Sequence, residues 1–174
     1  MKFRRAHAND CLAIADVHVE GWRTTYRGLM ADEYLDGLSA VDRAREWEQS
    51  IARDDVHVWV AEVDDEGIVA FAASGPEHTG NYDFDSELYA IYMRAHWRGR
   101  GLGKLLVAHN AQSLLSAGHH GMMVWVLAEN ANRRFYEALG GQRFAEGDYQ
   151  AGQQSLVEVA YGWKDLATLA VLAS

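Results

Sequence analysis

The chain has 174 residues, 49% of them hydrophobic, one cysteine and a formal net charge of −9. That is the size of one ordinary domain, with enough apolar content to bury a core without staples, and the single Cys11 excludes an internal disulfide framework. The acidic balance argues against a general nucleic-acid binder and favours a cationic partner; no apolar run approaches the roughly 20 residues of a membrane-spanning helix, and without an apolar leader the chain is expected to be cytoplasmic.

Residues 2–5 form the first expected strand, and the side chains of Asn9 and Asp10 are suited to accept from free amides at a helix start. Cys11, Ile14, Ala15, His18 and Trp22 then fall on one face at helical spacing, and Gly28 permits a left-handed stop after Tyr26 and Arg27. A second helix is expected over residues 41–51, with an aromatic-rich loop between the two. Residues 56–63 alternate as a strand, Asp64-Asp65-Glu66-Gly67 is turn chemistry, and residues 68–74 complete an antiparallel hairpin. A polar loop holding the only proline, Pro76, leads to a strand over residues 87–93.

Leu102, Leu105, Leu106 and Ala108 repeat at helical spacing within residues 101–117, ahead of Gly118. Met122–Leu127 is continuously apolar, as in a strand covered on both faces, and residues 132–139 form a short helix that Asn132 is placed to cap and Gly140-Gly141 closes. Two last strands are expected over residues 142–149 and 155–161, and the apolar tail 166–172 either packs as a final helix or covers a dimer interface. This order, strand, two helices, three strands, helix, strand, helix, two strands, specifies a mixed three-layer α/β (α+β) domain spanning residues 1–174, and not a doubly wound one.

The segment Arg98-Gly99-Arg100-Gly101-Leu102-Gly103 joins a strand to a helix. Such a turn presents unpaired amides, backed by the positive end of a helix dipole, to an anion, and phosphates are the natural guests. The dinucleotide fingerprint fails, because counting from Gly99 its sixth place is Lys104 and not glycine. The phosphate loop of nucleotide hydrolases fails as well, because its first glycine falls on Arg98 and its hydroxyl on Leu105.

Arg-x-x-Gly-x-Gly does fit, and here the chain resembles the general-control-related N-acetyltransferase (GNAT) superfamily. Residues 87–93 look like that family's fourth strand, and residues 129–141, Glu-Asn-Ala-Asn-Arg-Arg-Phe-Tyr-Glu-Ala-Leu-Gly-Gly, look like its fifth-strand exit and following helix. Two departures, Ala95 where the family often has proline and Asn132 where it often has alanine, supply no chemistry. The resemblance implies an α/β/α domain whose mostly antiparallel central sheet splays between strands 4 and 5, with acetyl-CoA held in the gap as co-substrate. It also implies an N-acetyltransferase moving acetyl directly to a primary amine of a small molecule, polyamine, amino acid or peptide, commonly as a homodimer. A non-catalytic acyl-CoA sensor and a protein lysine or N-terminal acetyltransferase are the competing readings.

By that resemblance, the backbone of Ile91 and Met93 meets the pantetheine arm, and the amides of Gly99, Arg100, Gly101, Leu102, Gly103 and Lys104 cradle the pyrophosphate. Gly101 and Gly103 are expected to be glycine so that the backbone can approach closely. Arg98 and Arg100 either add charge there or are solvated, Asn130 orients the cofactor, and Arg133 either touches a phosphate or is surface charge. A fourth-strand amide near Ile91 or Tyr92 is implied to polarise the thioester carbonyl. Tyr136 is carried over as the acid that protonates the departing thiolate, and Glu87 as the base for the amine. Trp22, Tyr26, Asp83, Asp85, Tyr89 and Tyr149 are the candidate acceptor lining, since aromatics and acids together suit a protonated amine. The eight histidines show no metal-ligand spacing, so no metal is expected.

Overall fold

The computed structural model describes residues 1–173. Its elements in chain order are β1 (Lys2–Arg5), α1 (Cys11–Thr25), α2 (Asp32–Asp36), α3 (Ala40–Ile51), β2 (His57–Val63), β3 (Gly67–Pro76), β4 (Ser86–Met93), α4 (Leu102–Ser116), β5 (Met122–Leu127), α5 (Arg133–Ala138), β6 (Gln142–Ala151), β7 (Gln154–Trp163) and α6 (Ala167–Ala170). The seven strands form one sheet in the order β1-β2-β3-β4-β5-β7-β6, antiparallel throughout except for the central β4–β5 pair. This is the mixed three-layer architecture that the element order specifies.

One face of the sheet buries Val69, Leu88, Val124 and Val159 against Leu106, Val107 and Leu114 of α4. The other buries Val58, Val60 and Phe71 against Ile14, Ala15 and Val17 of α1 and Trp47 of α3. Ile14, Leu106 and Phe71 are fully buried, and each such side chain contributes about 1.5–3 kcal/mol by leaving water. α4 is further fixed by Asn110, fully buried, which accepts from the Ser74 hydroxyl at 2.7 Å and donates to the Leu106 carbonyl. The centre of the sheet therefore rests on a closely packed, hydrogen-bonded frame.

β4 and β5 pair only at Ser86↔Met122 and Glu87↔Met123 and part beyond that point. The closed end of this V is clamped: the Ser86 hydroxyl donates to the Gly121 carbonyl, and both carboxylate oxygens of Asp85 accept from the amides of His120 and Gly121. Above it, the β5-facing backbone of residues 88–93 has no strand partner.

Local differences from the sequence reading have physical causes. α2, within the expected aromatic-rich loop, is only five residues long, and its shape is imposed by Arg23, whose guanidinium donates to the carbonyls of Leu35, Asp36 and Leu38. Asp10 does not cap α1 by its side chain; its carboxylate is taken by the Arg4 guanidinium and the His7 amide. Asn132 does not cap α5 by its side chain either: its own backbone is already helical, with φ −68° and ψ −10°, and a capping residue needs an extended one. The tail folds back as α6, burying Leu166 and Leu169 completely beside α4, with Gln112 donating to the Ala170 carbonyl.

Candidate active site

Where β4 and β5 diverge, a cavity of about 290 Å³ opens between Tyr89–Met93 on one side and Val124–Val126 on the other. One end reaches Arg98 and Gly99, and its wall includes Tyr26, Asn130, Phe135 and Tyr136. Ile91, Met93, Arg98, Gly99, Asn130, Tyr136, Tyr26 and Tyr89, all singled out in the sequence, thus share one groove.

The glycine turn has the geometry that an anion cradle requires. Gly99 and Gly101 have φ of 74° and 84°, and a Cβ built at either would meet nothing within 4 Å, so the backbone bends left-handed and faces open space. Gly101 is the N-cap of the fifteen-residue α4 and no side chain caps that end, which leaves the first-turn amides of Leu102, Gly103 and Lys104 free for a guest. Gly103 differs from its expected role: its Cβ would press on the Phe135 ring at 3.2 Å and the Met93 methyl at 3.3 Å. Its small size lets α4 and α5 pack together and does not open space for phosphate.

The cations around the turn are divided. Arg98 is anchored by donating to the hydroxyls of Thr24 and Thr25 at 2.6 and 3.2 Å, which ties the turn to the end of α1. Arg100 lies over the Trp97 ring at 4.7 Å, and Lys104 is exposed. Leu102 buries its side chain and so contributes only backbone here, while Arg133 is spent on the Ala128 carbonyl at 2.7 Å.

Tyr136 is buried on α5, with its ring edge-on to Phe135 and stacked near Tyr161. Burial, reinforced by Tyr26, holds its phenol well above the ordinary range, so it carries its proton at neutral pH. Tyr26 is itself buried, and its hydroxyl lies 3.0 Å from that of Tyr92.

Glu87 occupies the last β4–β5 pair before the strands part. Its side chain is only 13% exposed, and burial, with smaller contributions from Glu77 and Glu158 and an opposing one from His78, pushes its carboxyl up to about 7. A carboxylate so placed exchanges protons near neutrality.

The remaining acceptor candidates have separate surroundings. Trp22 stands behind Tyr26, ring centroids 5.2 Å apart, with Arg43 over its face and a buried indole nitrogen that has no partner among the described residues. Tyr149 is half-buried and near Tyr34 and Tyr26, with a phenol raised to about 12 chiefly by burial. Tyr89 commits its hydroxyl to the Pro76 carbonyl, Asp83 is exposed on the β3–β4 loop, and Asp85 belongs to the clamp.

Two residues here escaped the sequence reading. Trp125 lines the cavity and meets Tyr82 edge-on at 5.8 Å. Glu158, opposite Leu127 on β5 and Gly147 on β6, is a half-buried carboxylate raised above its ordinary range by desolvation. The only signal for Glu158 is an acid interrupting the apolar β7. Among the described residues no cluster of side chains is suited to a metal ion, and no helix is long and apolar enough to cross a membrane.

A family model described as an acetyltransferase (GNAT) domain matches residues 54–140, which contain Glu87, the glycine turn, Asn130 and Tyr136. The uncharacterized N-acetyltransferase YuaI of Bacillus subtilis (strain 168) is 36% identical over 169 residues, 97% of this chain and 96% of its own. The PaiA N-acetyltransferase of Thermoplasma acidophilum, solved in complex with coenzyme A, has a TM-score of 0.74 at 18% identity, covering 94% of this chain and 98% of that one. The ribosomal-protein-alanine N-acetyltransferase of Brucella melitensis has a TM-score of 0.74 at 20% identity, covering 94% and 99%. The two structures show a shared fold; the family match and the Bacillus subtilis relative show that this chain belongs to the GNAT family of N-acetyltransferases.

Proposed function

We propose that this enzyme transfers acetyl directly from acetyl-CoA to a cationic primary amine of a small molecule, polyamine, amino acid or peptide. The observation that carries this reading is the single groove in the splayed sheet, with an amide-lined glycine turn at one end, a neutral buried Tyr136 in its wall and Glu87 where the strands part. Open space at Gly99 and Gly101 and the free first-turn amides of α4 fit a pyrophosphate, and the unpaired edge of β4 around Ile91 and Met93 fits the amide groups of a pantetheine arm. When bound, acetyl-CoA supplies an activated acyl group on a thiolate leaving group.

The chain's own residues then have separable tasks. Glu87, ionised above about pH 7, accepts the proton of the ammonium so that the amine can attack. A β4 amide near Ile91 or Tyr92 donates to the oxygen that becomes negative. Tyr136 gives its proton to the departing sulfur, and Asn130, held by the Asn132 amide, fixes the floor of the groove beside it. Glu87 and Glu158, with Trp125 and Tyr149 nearby, favour an acceptor that arrives protonated over a neutral one.

Thiol release from acetyl-CoA across a panel of cationic and neutral amines tests this reading. Turnover confined to cationic amines is the expected result. Tight acetyl-CoA binding with no turnover on any amine would support a sensor instead, and turnover only on folded proteins would support a protein-modifying enzyme.

A further inference from the structure

We infer that His78, on the loop between β3 and β4, carries the acceptor amine's proton from Glu87 to solvent. The inference rests on the reading of Glu87 as base and adds the exit that a buried base needs. Glu87 is 13% exposed and cannot shed a proton readily into bulk water, whereas the His78 side chain is 65% exposed. Its Nε2 lies 3.6 Å from Glu87 Oε2, and catalytic hydrogen bonds are often long before substrate arrives.

The ring is also held in the tautomer that a relay requires. His78 Nδ1 faces the Pro76 carbonyl at 3.3 Å. A carbonyl oxygen only accepts, so Nδ1 carries the hydrogen and the neutral ring presents its lone pair on Nε2, toward Glu87. Its plane is supported by Tyr89, whose ring centroid is 5.4 Å away and whose hydroxyl donates to the same Pro76 carbonyl. The backbone beyond is set by Glu77, whose carboxylate accepts from the Thr79 amide, the Thr79 hydroxyl and the Gly80 amide. The loop thus holds the imidazole toward Glu87 and leaves its rim wet.

The steps balance. The N–H bond of the ammonium breaks as an O–H bond forms on Glu87; that O–H bond breaks as an N–H bond forms on His78 Nε2; the imidazolium then releases one proton to water or buffer, and both side chains return to their starting forms. Glu77, Glu158 and Tyr89 are the other titratable groups acting on this pair, and Arg53 and Asp55 reach it through Tyr89. Burial and the neighbouring acids keep Glu87 basic enough to take the ammonium proton, and the facing imidazole opposes them.

The test is His78→Gln, followed as kcat against pH, buffer concentration and added imidazole, with Glu87→Gln in parallel. Because the ring is exposed, folding of His78→Gln is expected to match the parent in melting temperature. In weak buffer at pH 7 its kcat is expected to fall about tenfold, less than the ~10²–10⁴-fold typical of losing a general base. Imidazole should restore the variant and leave the parent unaffected. An unchanged kcat, or a loss that imidazole does not restore, overturns the relay. If Glu87→Gln itself keeps the parent's turnover and pH profile, the reading of Glu87 as base falls with it; if Glu87→Gln is crippled while His78→Gln behaves as the parent, the relay alone falls.

Discussion

The two ends of the proposed site are built in different ways. The donor end is made of backbone: two left-handed glycines, the free amides of α4 and the unpaired edge of β4. The proposed acceptor end draws on side chains from separate elements, Tyr26 just after α1, Glu87 of β4, Trp125 of β5, Tyr149 of β6 and Glu158 of β7. A backbone site depends on local conformation and tolerates little change of shape, whereas a side-chain site is altered one group at a time. On the proposed assignment, one end can therefore stay constant in the ligand it takes while the other determines which amine is served.

The largest expected effect lies at the donor end. Gly101→Glu forces a side chain into φ 84° and puts a negative charge where phosphate is to bind; we expect acetyl-CoA affinity to fall by more than about 100-fold in calorimetric titration, the strain alone being worth about 1–2 kcal/mol. Retained affinity would remove the turn from the cofactor site.

At the acceptor end, Glu87→Gln should lower kcat/KM by about 100-fold, within the range of general-base catalysis, while leaving acetyl-CoA binding intact. The sign of its pH dependence is fixed: a carboxyl raised to about 7 is protonated and idle below that pH, so the parent's rate rises through about 7 and the variant's does not. A shared limb in both profiles would assign that ionisation to another group.

Glu158→Gln is expected to act more gently. As a half-buried carboxylate at the proposed acceptor end, its loss should raise KM for a cationic amine about fivefold, as suits a partly solvated ion pair, with kcat nearly unchanged. A loss confined to kcat would place it in the chemistry instead.

The effect on turnover is smallest for the support beneath this end, which is read in stability instead. His18 is 7% exposed among Trp47, Phe71 and Tyr92, accepts from the Trp47 indole at 3.2 Å, and is lowered to about 3, chiefly by burial and then by Arg43. The unfolded chain therefore binds the proton more readily between about 3 and 6.5, and this contribution, complete above 6.5, is lost as pH falls through that window by at most about 1.4 kcal/mol per pH unit. Urea unfolding of the parent and His18→Asn across that range should show the smaller acid slope in the variant. Glu87, whose raised carboxyl acts in the opposite sense between 4.5 and about 7, is common to both.

How much of this was legible in the sequence follows the same division. Local patterns gave the order of strands and helices and the glycine turn, because periodicity and a glycine's freedom are properties of short stretches. The reason that residue 103 is glycine is not legible locally, because only the fold brings Phe135 and Met93 against it. Asp85 reads locally as an acceptor ligand, whereas the amides at the β5 entrance occupy both its oxygens. Glu158 and Trp125 were invisible as site residues because alternation places a residue on a face without saying what stands across from it, and the β5–β7 pairing that decides this spans more than thirty residues of chain. His78 passed as one histidine among eight, since its distance to Glu87 depends on the β3–β4 loop folding back.

Tyr136→Phe tests the account most directly, because it removes one hydroxyl from a buried ring and leaves the rest of the groove in place. Acetyl-CoA affinity and steady-state thiol release should be measured on the same preparation. We predict a dissociation constant within about twofold of the parent and a kcat lower by about 10²–10³-fold, the loss of a general acid. Unchanged turnover, or a loss accounted for entirely by weaker acetyl-CoA binding, would contradict the assignment of Tyr136 as the proton donor to the leaving thiolate.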